Sequence, residues 1–69
     1  MPVFIDLVAT SEEELRKKLV DAICQFRLYT DIQLQALFEQ AVAQNSVEGG
    51  LGDDVAEEVC KKVQEELDS

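Results

Sequence analysis

The sequence predicts an all-α fold, a three-helix bundle or orthogonal helical domain, with an N-terminal extended β-strand arm. Three observations predict it. Apolar residues recur at three- and four-residue spacing through three separate stretches. Each stretch opens on a Ser, Thr or Asp placed to cap a helix. Ahead of the first cap stands V-F-I-D-L-V at residues 3–8, a short β-like run.

Pro2 suits the start of an edge strand because it has no N–H to donate. Val3, Ile5 and Leu7 fall on one face of the run and Phe4, Asp6 and Val8 on the other. A lone strand leaves backbone donors and acceptors to be satisfied elsewhere, so the arm is expected to meet another chain or a second copy. The alternative is an extended arm tucked against the helices without any sheet.

Helix 1 is expected over about 11–28. Thr10 with Glu13, or Ser11 with Glu14, matches a capping box. Leu15, Leu19, Ala22, Ile23 and Phe26 make one stripe, and Val20, Cys24 and Leu28 a second beside it. An arc this wide marks helix 1 as the central helix, packed against two neighbours. On its polar side, Glu12–Arg16, Glu13–Lys17 and Glu14–Lys18 are i,i+4 pairs, so the basic cluster reads as a solvated, self-paired face.

Helix 2 is expected over about 31–45, capped by Thr30 with Gln33, with Tyr29 stapled onto Leu34. The short link makes helices 1 and 2 a tight αα-hairpin or corner. Leu34, Leu37, Phe38, Ala41 and Val42 form the core stripe. Gln33, Gln35, Gln40 and Gln44 surround Ile32, Ala36 and Ala43, with Glu39 the only charge between Asp31 and Glu48. A charge-poor face with small apolar residues is typical of interface centres; glutamine and alanine are also simply good helix formers.

Residues 45–54, N-S-V-E-G-G-L-G-D-D, form a loop in which Leu51 dips back to the core. Its spacing fits neither a calcium loop nor a phosphate cradle. Helix 3 is expected over about 54–68, with Asp54 and Glu57 in a capping-box relation. Val55, Val59, Cys60, Val63 and Leu67 form its stripe, and Glu57–Lys61 and Glu58–Lys62 are i,i+4 pairs.

At 69 residues the chain is one domain, 1–69, with a marginal core. Fifteen acidic against six basic residues, a net charge of −9, argue against nucleic acid and against anionic membranes. Cys24 and Cys60 read as inert core thiols of a reducing, cytoplasmic compartment rather than as a disulfide. With no His, neither a metal site nor a general base is expected. No serine has triad partners and no carboxylate pair stands apart, so the chain is expected not to be an enzyme and to need no cofactor. Met1 reads as a true start, and the charged helical end leaves open a longer protein of which this is the N-terminal module.

An apolar run leading into a tight helix–turn–helix, over roughly residues 3–44, resembles in outline the dimerisation-and-docking domains of the RII type. It is also similar to short N-terminal helical dimerisation modules of centrosomal and ciliary scaffold proteins. The chain lacks the proline-containing turn of the RII type and adds a third helix, so no residue role is carried over. The resulting expectation is a non-catalytic protein–protein interaction module, homo-oligomerising or docking a partner helix or strand. It would stand within a scaffold or a cytoskeleton- or cilium-associated protein. The expected interface is Val3, Phe4, Ile5, Leu7, Ile32, Ala36 and Ala43. The alternative is a small acidic carrier or regulatory protein with an apolar ligand between its helices. An acyl-carrier role lacks its serine, since T-D-I and D-D-V open helices 2 and 3.

Overall fold

A computed structural model describes residues 5–47 and 49–68 of the chain. Among them are three α-helices, α1 (Glu12–Phe26), α2 (Asp31–Asn45) and α3 (Asp53–Asp68), and no β-strand.

Helix α1 starts where Ser11, in extended backbone, accepts a hydrogen bond from the Glu14 N–H at 3.2 Å. Thr10 takes no part in that cap; its hydroxyl donates to the Glu14 carboxylate. The helix stops at Phe26, two residues before the expected end. Arg27 turns left-handed (φ 53°, ψ 55°) and its N–H and that of Leu28 both point back to the Ile23 carbonyl. That reversal aims the chain so that α2 begins four residues later. At its start, the Thr30 hydroxyl accepts from Gln33 N–H, and the Gln33 side-chain Oε1 accepts from the N–H groups of Thr30 and Tyr29. The capping box is as the sequence predicts. The staple is not: Tyr29 remains 72% exposed.

Helix α3 starts at Asp53, and its first helical acceptor is the Gly52 carbonyl, which takes the Ala56 N–H. Gly52 (φ +96°) supplies the entry, not the expected Asp54–Glu57 box. Upstream, Gly50 lies so close to the end of α2 that a Cβ there would meet the Asn45 Cα and carbonyl oxygen at 2.8 Å. Only glycine lets the loop fold back this tightly.

The core joins Leu15, Leu19, Ala22 and Ile23 of α1 to Leu34, Leu37 and Ala41 of α2 and Ala56, Val59, Cys60 and Val63 of α3. Leu7 and Ala9 complete it, and Leu51 packs on its edge from the loop. The central helix is α3, not α1: it packs along both others, while α1 and α2 touch far less. The second stripe expected on α1 accounts for the difference. Its Cys24 and Val20 face solvent, leaving only Leu28 against the core, and Phe26 of the first stripe is itself 39% exposed. Cys24 is therefore a surface thiol rather than a core one.

The expected arm takes a different form. Val3 and Phe4 lie outside the described residues. Residues 5–9 are not a strand; they are held by two consecutive side-chain amides at the end of α2. Gln44 accepts from Leu7 N–H and donates to Ile5 C=O, both at 2.8 Å. Asn45 accepts from Ala9 N–H at 3.0 Å and donates to Leu7 C=O at 2.8 Å. Each primary amide thus stands in for one peptide of a neighbouring strand, bonding the C=O of one residue and the N–H two residues on. Lys18 adds a hydrogen bond to Val8 C=O, and the Asp6 carboxylate one to Val8 N–H. The partners that a lone strand would seek in another chain are supplied here within the same chain, and Leu7, at 0% exposure, fills its own core.

Candidate functional site

The polar groups of the described residues are committed mainly to structure. Asn45 is fully buried and donates a further hydrogen bond to Ala41 C=O, leaving no buried side-chain N or O without a partner among the described residues. Arg16 reaches across to Glu66 on α3 at 2.9 Å, displacing the expected pairing with Glu12. Glu66 in turn raises the Arg16 pKa above its ordinary value by accepting its hydrogen bond. Among the described residues, the i,i+4 ion pairs Glu14–Lys18 and Glu58–Lys62 form. No group of three His, Cys, Asp or Glu side chains is placed to hold a metal ion among the described residues. No helix among them is long and apolar enough to cross a membrane.

What remains is the exposed side of α2, turned away from the core. Ile32, Ala36 and Ala43 are all exposed, Ile32 at 81%. They fall on one helical face, at spacings of four and seven. Of the remaining expected interface residues, Ile5 packs half-buried against the core and Leu7 lies inside it. Val3 and Phe4 lie outside the described residues.

A groove that no single residue announced runs beside this face, between α2 and the antiparallel α3. Two adjoining hollows of about 380 and 420 Å³ make it up, sharing Gln35 and Phe38. Its floor is apolar: Phe38 and Val42, both half-buried, with Cys60. Ala43 is common to the groove and the exposed face. The sequence places Phe38 and Val42 in the core stripe. The signal to read was width: at 100° per residue the apolar arc from Leu37 through Leu34 and Phe38 to Val42 spans about 140°, wider than the roughly 100° stripe that faces a single core.

Cys60 contributes a thiol to that floor, its Sγ 3.9 Å from the Phe38 carbonyl oxygen. Burial, helped by the nearby Glu57 charge, pushes its pKa up to about 11. At neutral pH the floor therefore presents a thiol rather than a thiolate.

No protein-family model, curated protein or solved structure matches this chain. The likeness to RII-type domains rests on element order alone, and the light contact between α1 and α2 differs from a tight hairpin.

Proposed function

We propose that this chain is a non-catalytic interaction module that docks a protein partner on α2 and its groove with α3. One observation carries the reading: in a chain with fifteen acidic residues, α2 exposes Ile32 at 81% beside an apolar groove floor. A single exposed isoleucine is ordinary. Ile32, Ala36, Ala43, Phe38 and Val42 on one helix, interrupted by Glu39 alone among charges, make a charge-depleted patch with a polar rim.

Strand addition by residues 3–8 and exchange of the arm between two copies fit less well. Exchange would require residues 5–9 to leave Gln44 and Asn45, exposing Leu7 and stranding the buried Asn45 amide. A strand added on the opposite edge would have to displace Asp6 and Lys18 from the Val8 N–H and C=O. The carrier reading fits less well too. The hollows lie on the surface, rimmed by the exposed Gln35, Glu39, Glu57 and Lys61, whereas carriers enclose most of a small ligand.

The test compares the wild-type chain, immobilised in cell extract, with folded Ile32→Asp and Ala43→Glu variants. A discrete protein retained by the wild type and lost by both variants is the expected result. Equal retention by all three contradicts the proposal.

A further inference from the structure

We infer that the occupant of the α2–α3 groove is a basic amphipathic α-helix of another protein; this rests on the reading of α2 as a docking face. The groove's length comes from its lining. It extends on α2 from Asp31 to Ala43, about 18 Å at 1.5 Å per residue, which matches three turns of a docked helix. Phe38 lies where the two hollows meet, so an apolar side chain on either side of it finds a seat, as in helix-in-groove recognition.

Charge selects the partner. Carboxylates line both sides of the groove, Asp31 and Glu39 from α2 and Glu57 and Asp68 from α3, against one amine, Lys61. The chain's net charge of −9 extends the same field outward. Such a rim steers and orients a helix that flanks an apolar stripe with Lys or Arg. A second copy does not meet that requirement. It carries the same net charge, and of its three consecutive bases Arg16 is held by Glu66 and Lys18 by Glu14 and the Val8 carbonyl.

The probe is a fluorescent ~18-residue peptide with Leu at helical i, i+3, i+4, i+7 spacing and Lys elsewhere, titrated by anisotropy. The wild-type chain binds it, and the Glu39→Lys/Glu57→Lys variant binds about tenfold more weakly, while Glu12→Lys/Asp21→Lys, an equal charge change on α1, stays within about twofold. Backbone amide shifts move along 31–43 and 57–68. Equal weakening by the two double variants, or shifts spread over the surface, overturns the inference as mere attraction of opposite charges. Absence of binding overturns it too. If Ile32→Asp and Ala43→Glu still abolish retention of a partner protein, the docking face stands and only the basic helix falls. If retention is also unaffected, both fall.

Discussion

Asn45 concentrates more structural work than any other polar side chain in the described chain. It is fully buried, closes the end of α2 on Ala41, and bonds both Leu7 C=O and Ala9 N–H. Replacing it by Leu leaves those backbone groups unpaired in the interior, where each costs roughly 1–3 kcal/mol. Asn45→Leu is therefore expected to destabilise by about 2–4 kcal/mol in urea unfolding, a large part of what a domain this small possesses. Gln44→Leu, at a half-buried position, is expected to cost about 1–2 kcal/mol. Cys60 provides a separate residue-scale test through pH. Its thiol is protonated in the fold up to about pH 11, whereas the unfolded thiol ionises near its ordinary value of 9.0. The unfolded state therefore releases its proton first, and stability falls as pH rises between those values. Comparing the pH dependence of unfolding with that of Cys60→Ala isolates this loss, which the variant should lack.

At the scale of elements, the helices were legible and their ends were less so. Thr30 and Gln33 spell out a cap using four adjacent residues, and the structure contains it. The stop of α1 carried no such signal, because Arg27 adopts φ 53° where glycine is the usual residue. Arg27→Gly relieves that conformation and should raise stability by about 0.5–1 kcal/mol, measured as a shift of the urea midpoint. Gly50→Ala works in the opposite sense. The added methyl meets the Asn45 backbone at 2.8 Å, which forces the loop off α2, and overpacking of this kind costs about 1–3 kcal/mol. The arm was the least legible element. The apolar run marks a segment whose backbone, over the described residues 5–9, does find partners, but periodicity speaks only of side chains. Nothing in Gln44 and Asn45, polar residues at a helix end, discloses that their amides replace a strand 36 to 39 positions away. The same holds for Arg16–Glu66, a contact across 50 positions that i,i+4 reasoning cannot reach.

For the whole molecule, a chain with fifteen acidic residues and a net charge of −9 folds around a small core. Their mutual repulsion opposes compaction, while the ion pairs are exposed and weak. Added NaCl should therefore raise the thermal midpoint, screening more repulsion than attraction. The candidate site was half visible at this scale. Ile32, Ala36 and Ala43 show in the sequence as a charge-poor face, but the groove depends on how α2 and α3 meet, which their separate patterns do not specify. The arrangement separates two roles that the sequence alone runs together: the arm closes the fold, and α2 faces outward.

Amide hydrogen exchange tests that separation most directly. The N–H groups of Leu7 and Ala9 should be protected at a concentration where light scattering gives the mass of one chain. That protection should fall in Gln44→Ala and Asn45→Ala. Free exchange at those two amides in the wild type, or protection that appears only as concentration rises, would show that the arm finds its partners in another chain and contradict the account.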